Sequence, residues 1–237
     1  MRFANRSVAG QQLAAALVEY ANRPDVIVLA LPRGGVPVAY EIAAGLKAPL
    51  DVFLVRKLGV PGHAELAMGA IAAGGVQVLS NDLIEDLGIP SSVVSQVAAR
   101  ERLELERRDA AFRGGRPMLD VRHRTAILVD DGLATGSTME AAIIALRRMN
   151  PTRIAVAVPV GAKDTCDRLR KLADDLVCLR TPEPFSAVGL WYDDFFQTSD
   201  AEVTRLLAAA SGGGGGHTTN SRQPEADEVA DAYPSGL

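Results

Sequence analysis

The sequence predicts an α/β fold with a mostly parallel central sheet flanked by helices. Three observations carry this. Short, nearly continuous apolar runs recur at Asp25–Leu31 (DVIVLAL), Thr125–Asp130 (TAILVD) and Arg153–Pro159 (RIAVAVP). Such runs are expected of strands buried on both faces, the mark of parallel sheets. Segments of helical spacing stand between them, and alternating strands and helices imply right-handed crossovers. The length, 237 residues, and the composition, 48% hydrophobic and 23% charged, suffice for one well-buried domain.

Taken in order, Ser7–Tyr20 reads as an amphipathic helix, with Leu13, Ala16, Leu17 and Tyr20 at helical spacing. The first strand, Asp25–Leu31, is broken by Pro32–Gly35, and a helix over Val36–Leu46 follows. Leu50–Val55 is a second strand, and Arg56–Ala67 a polar loop bearing Gly and Pro. Met68–Ala72 and Val76–Leu79, separated by Gly74 and Gly75, form a hairpin. Asn81–Gly88 and Ser91–Phe112 are helical, the second dense in charge and read as a solvated face with i,i+4 pairs. After the strand Thr125–Asp130 come a helix over Ser137–Met149, the strand Arg153–Pro159, a helix over Thr165–Ala173 and a short strand over Leu176–Leu179. Asp200–Ala210 is a last helix, with Asp200 as its cap. The unbroken glycine run Gly212–Gly216 and the lack of apolar periodicity beyond it predict a disordered tail over 211–237. The domain therefore spans residues 1–210.

Charge narrows the function classes. The tail has four acids against Arg222, which accounts for three of the four net negative charges. A near-neutral body lacks the basic stripe of a nucleic-acid binder. Cys166 and Cys178 stand without metal-ligand spacing and read as small buried hydrophobes in a reducing compartment. Met1–Gln12 has no apolar signal core, and no stretch reaches the roughly 18 apolar residues that span a bilayer. The expectation is a cytoplasmic protein with no membrane partner.

The informative segment runs from Ile127 to Thr138 (ILVDDGLATGST). It is a buried strand, two acids at its carboxyl edge, a Gly/Thr/Ser loop and a helix start. Ligands of open α/β sheets sit at the carboxyl ends of the strands. A helix N-terminus offers free N–H groups and the positive end of a dipole. Hydroxyls of Thr135, Ser137 and Thr138 add donors, and Gly132 and Gly136 admit an anion close to the backbone. This is a monophosphate cradle, with Asp130 and Asp131 placed to accept from two adjacent hydroxyls, as a ribose offers. No Lys lies in the loop, so a Walker P-loop is excluded, and no G-x-G-x-x-G fingerprint occurs.

The segment resembles the phosphoribosyl-diphosphate motif of type I phosphoribosyltransferases. The resemblance implies that fold, with a small C-terminal hood at about 180–200. It assigns Asp130 and Asp131 to the ribose hydroxyls and Ala134, Thr135, Gly136, Ser137 and Thr138 to the 5-phosphate. Ser137 stands where the family often has a second glycine. Arg33, Gly34 and Gly35 resemble the family's pyrophosphate loop, which agrees with the donor fork of arginine and the exposed amides of two glycines. Arg56 and Lys57 end the second strand, where the family often places basic residues that reach the diphosphate. Leu58–Ala67 resembles the mobile catalytic loop, with Gly59 and Gly62 as hinges and His63 and Glu65 as the candidates on it. Together with Lys57 these are the catalytic candidates.

Pro184–Phe196 resembles the hood of purine salvage members. Trp191 or Tyr192 would stack on a flat acceptor, or else Phe185, Trp191, Phe195 and Phe196 simply pack the lid. Lys163 stands where purine members keep a base-reading lysine. Asp193 or Asp194 would hold Mg²⁺ or a base N–H, and Asp193 joins Asp130 and Asp131 as the metal set. The resemblance thus implies a transferase of nucleotide metabolism that uses Mg²⁺, phosphoribosyl diphosphate and a small-molecule acceptor. The alternative is a sensor of the same ligand on the same fold. A homodimer follows by analogy of fold.

Overall fold

The computed structural model describes residues 2–212. Five strands form a wholly parallel sheet in the order β2-β1-β6-β7-β8. They are β1 (Val26–Ala30), β2 (Leu50–Val52), β6 (Thr125–Val129), β7 (Arg153–Val160) and β8 (Asp175–Arg180). Every residue of β1 and β6 is buried, as the apolar runs predict. The helices α1 (Arg6–Ala16), α2 (Gly35–Leu46), α5 (Ser137–Arg147), α6 (Lys163–Leu169) and α7 (Asp200–Gly212) accompany this sheet. Side chains alternate between its faces, so one apolar cluster holds Val26, Val28, Ala30 and Ile127 against α2 and α7. The other holds Ile27, Leu29, Leu128 and Val156 against α5 and α6.

A second sheet, β3-β4-β5, is antiparallel: β3 (Val55–Val60), β4 (His63–Ala72) and β5 (Val76–Leu79). Its last turn is the expected hairpin at Gly74 and Gly75, both with positive φ. The first is a correction. Arg56–Ala67 is not a loop: Arg56 lies opposite Ile71 and Lys57 opposite Ala70. Leu50–Val55 accordingly divides into β2 and the start of β3, so Arg56 and Lys57 lie within β3 and end no strand. Leu58, Val60 and Met68 are buried, which supplies the reason for pairing. The helices α3 (Asn81–Asp86) and α4 (Ser91–Arg113) follow. The charged face of α4 has the expected pairing, Glu104 with Arg108 at i,i+4 and with Arg107 at i,i+3. Its other face buries Val94, Ala98, Leu105 and Phe112.

Smaller differences have local causes. The first helix ends at Ala16 and a 3-10 turn over Val18–Tyr20 completes it; Leu13, Leu17 and Tyr20 are buried while Ala16 is exposed. Asp200 begins α7 without capping it, because the Ser199 hydroxyl accepts the Glu202 N–H at 3.1 Å. Helix α7 runs through Ser211 and Gly212, into the segment expected to be tail; the rest of that expectation, 213–237, lies outside the described residues. Among the described residues no helix is long and apolar enough to cross a membrane.

Candidate active site

Because the five strands are parallel, the chain leaves β1, β6 and β7 at one edge of the sheet, and the loops there meet. Gly35, first residue of α2, lies directly on the end of β6. A Cβ on it would stand 2.6 Å from Val129 O and 2.9 Å from the Asp130 Cα. A Cβ on Gly34 would collide with the Asp131 carboxylate. The Arg33–Gly35 turn and the acid pair are therefore in direct contact. Arg33 is half-buried, follows a cis peptide bond from Pro32, and reaches Asp200 at 3.4 Å. Since backbone cannot yield as a side-chain end can, Gly35→Ala is expected to cost about 1–3 kcal/mol. Chemical denaturation checks this; an unchanged midpoint would place Gly35 elsewhere.

The acid pair is only partly reached by solvent. The Asp131 N–H donates to Asp130 Oδ1 at 2.8 Å. Burial, then the neighbouring Asp131 charge, pushes the Asp130 carboxyl well above the usual carboxylate range. Asp131 is also raised by burial, against the pull of the Arg6 guanidinium, whose Nε donates to Asp131 Oδ2 at 2.9 Å. The pair is thus asymmetric, with Asp130 the stronger holder of a proton.

The loop beyond is braced from beneath. Leu133 N–H donates to Val160 O and Ala162 N–H to Leu133 O, each at 2.9 Å. Thr165 Oγ1 donates to Ala134 O at 2.8 Å and Arg168 to Thr135 O at 2.5 Å. Gly136 has φ +71, and a Cβ there would meet Thr165 Cγ2, so glycine is required twice over. It caps α5 through its backbone, and among the described residues no side chain caps that helix start. Its first N–H groups are thus without a capping side chain, the condition for a helix start to take an anion. Thr135 and Thr138 are exposed, and Ser137 Oγ lies 3.3 Å from Thr135 Oγ1. Lys57 Nζ donates to that Ser137 hydroxyl at 3.1 Å, which brings β3 to the cradle.

The other expected residues separate. Arg56 is engaged elsewhere: Glu101 of α4 takes its Nε at 2.9 Å and its second nitrogen at 2.6 Å, and shares its other oxygen with Arg100. His63 is exposed at the start of β4; Glu65 lies within β4, its side chain outside the described residues. Tyr192 is buried between Phe3, at 5.5 Å between centroids, and Phe195, at 5.0 Å, and its hydroxyl donates to Asp131 O at 2.6 Å. The residue is 3% exposed, so Tyr192 packs the hood and presents no open face to an acceptor. Trp191 is half-buried against the same cluster. Lys163 is on the surface, paired with Asp167 at 3.2 Å. Asp193 is exposed, its N–H bonded to Phe3 O. Among the described residues no three His, Cys, Asp or Glu side chains gather as a metal cluster, so Asp193 does not complete a set with Asp130 and Asp131.

Arg6, Thr165 and Arg168 escape a reading of the sequence. Each acts through tertiary contact, Arg6 across 125 residues, and no local pattern marks it.

Comparison with known proteins identifies relatives of the described domain. The family model described as phosphoribosyl transferase domain matches residues 5–193. Curated Mycobacterium tuberculosis proteins from two strains, each described as a "putative phosphoribosyl transferase", are 46% identical over 205 residues, 86% of this chain. The chain spans 46% of the length of those relatives. A crystal structure from Thermus thermophilus superimposes with a TM-score of 0.81 at 42% identity, covering 88% of this chain and 99% of that one.

Proposed function

This chain belongs to the phosphoribosyl transferase family, a family of pentosyl-transferring transferases, and from that premise we propose its reaction. It binds 5-phosphoribosyl 1-diphosphate and transfers the phosphoribosyl group to a small-molecule acceptor, releasing pyrophosphate. The observation that carries the reading is the packing of Gly34 against the Asp131 carboxylate. It joins the Arg-Gly-Gly turn to the acid pair, and the connection that carries the pair leads into a helix start that no side chain caps.

In this reading the α5 N-terminus and the hydroxyls of Thr135, Ser137 and Thr138 take the 5-phosphate. Asp130 and Asp131 take the ribose hydroxyls. Arg33, the Gly34 and Gly35 amides and Lys57 take the diphosphate; Arg56 is left out, because Glu101 holds it. As the bond to the diphosphate lengthens, the anomeric carbon becomes cation-like and the leaving group gains charge. Catalysis then needs fixed positive charge and an acceptor held in line, with no protein nucleophile. Asp130 and Asp131 offer the hard oxygen donors that Mg²⁺ takes, and would hold it together with ligand oxygens and water. It would supply charge neutralisation. The reading places the protein in a reducing cytoplasm, consistent with two free thiols, and as a homodimer by fold analogy.

The test is incubation with phosphoribosyl diphosphate, Mg²⁺ and a panel of nucleobases and small amines, following pyrophosphate. Acceptor-dependent release is the expected result. Tight binding with no turnover across the panel would instead favour a sensor, and phosphate release without acceptor a hydrolase.

A further inference from the structure

We propose that Arg6 is a positioning residue that fixes the ribose-binding carboxylate of Asp131 to the hood; this rests on the phosphoribosyl-diphosphate reading above. The Arg6 side chain is 12% exposed and that of Asp131 16%. Two guanidinium nitrogens reach the same oxygen, Asp131 Oδ2, at 2.9 and 2.8 Å. The third donates to Phe196 O at 2.7 Å. The guanidinium carbon lies 3.9 Å from the Phe195 ring centroid. One side chain thus makes an ion pair, a backbone hydrogen bond and a ring contact on three different groups.

The arrangement is one layered stack. Arg180 lies 3.9 Å over Phe3, which leans on Tyr192, which stacks on Phe195, which carries Arg6. Asp131 is gripped by that stack at both ends, its carbonyl by the Tyr192 hydroxyl and its carboxylate by Arg6. A carboxylate oriented before the ligand arrives costs less to engage than one that must be ordered. Only arginine fits the position, because a planar fork is needed to donate to two groups and lie on a ring. Local helix preference does not account for it. Arg6 opens α1, where the helix dipole disfavours a cation. The reason for a cation there is Asp131.

The contact separates two parts of the ligand. Arg6 donates to the group assigned to ribose and to the Phe196 carbonyl, and Arg33, Gly34 and Gly35, assigned to pyrophosphate, are not among its hydrogen-bond partners. Titration calorimetry of the full chain with Mg²⁺ and three probes reads the difference: phosphoribosyl diphosphate, ribose 5-phosphate and inorganic pyrophosphate. Arg6→Gln is expected to weaken both ribose-bearing probes by on the order of 10–100-fold, the usual effect of losing a group that orients a ligating one. Pyrophosphate should bind as to the unaltered protein. Arg6→Lys, which keeps charge and volume and protects folding, should show the same selectivity with a smaller loss. Equal loss on all three probes, or none on any, overturns the proposal. Failure of the unaltered protein to bind either ribose-bearing probe would instead remove the reading beneath it.

Discussion

An Asp130→Asn, Asp131→Asn double variant is expected to lose phosphoribosyl-diphosphate binding, while Asp130→Asn alone also raises the melting temperature of the ligand-free protein near neutral pH. Two lost hydrogen bonds to charged acceptors, at about 1.5–3 kcal/mol each, weaken affinity by on the order of a thousandfold. The stability effect follows from burial. The folded-state pKa of Asp130 lies well above its ordinary value of 3.8, because burial and the Asp131 charge both disfavour its ionised form. The folded protein therefore holds this proton more tightly than the unfolded chain. Its contribution to stability is fully present at low pH and is lost as pH rises from 3.8 through the folded value. Asparagine keeps the shape and never ionises. A gain of about 1 kcal/mol corresponds to ~2–4 °C in a domain of this size. Melting curves at pH 5 and pH 8 decide it: the variant should gain at pH 8 and gain less at pH 5. A loss at pH 8 would mean that Asp130 is ionised and well partnered in the folded state. Asp131→Asn alone should gain less than Asp130→Asn, because burial raises this carboxyl against the opposing pull of the Arg6 guanidinium, which the substitution leaves unpaired.

The contrast between these two neighbours shows what a sequence can and cannot display. The acid pair, the Gly/Thr/Ser loop and the strand before them are contiguous, and so are the chemical roles of their backbone and side chains. The parallel sheet is legible for a related reason, since strands buried on both faces must be apolar along their whole length. Residues 56–67 read as a loop because β3 and β4 are only half buried there. Arg56, Lys57, Gly59, Pro61 and Gly62 look like loop composition, and only the register opposite Ala67–Ala72 reveals a strand. The hood misleads in another way. Tyr192 has the right chemistry to stack on a base, but Phe3, from the other end of the chain, already covers it. Arg56 likewise stands at a plausible place for a diphosphate, and the competing carboxylate, Glu101, comes from a helix whose charges read as surface. In each case the missing information is a partner distant in sequence, not a property of the residue.

The largest loss of stability is expected from Arg113→Met, at a residue that takes no part in the phosphate cradle. Arg113 ends α4, and its side chain is 2% exposed. Its Nε meets Asp51 Oδ1 at 3.0 Å, another nitrogen donates to Val52 O at 2.5 Å, and a third pairs with Asp109. Asp51 in turn accepts the Val52 N–H at 2.7 Å and the Leu119 N–H at 2.9 Å. Strand β2, helix α4 and the segment at Leu119 thus converge on one buried ion pair at the short edge strand β2. Methionine fills much of the volume but leaves the Asp51 carboxylate buried without its cation. Breaking such a pair from one side costs about 3–5 kcal/mol, which is roughly 10 °C here. Replacing both partners should cost much less, because a buried pair returns little beyond the desolvation of its own charges. Asp51→Asn with Arg113→Met is therefore expected to recover part of the loss, since a neutral side-chain amide removes the buried charge and its one oxygen can still accept from either Val52 or Leu119. A double-mutant cycle by denaturant unfolding measures the coupling. Strict additivity of the two single variants would mean that Asp51 and Arg113 are neighbours without being partners.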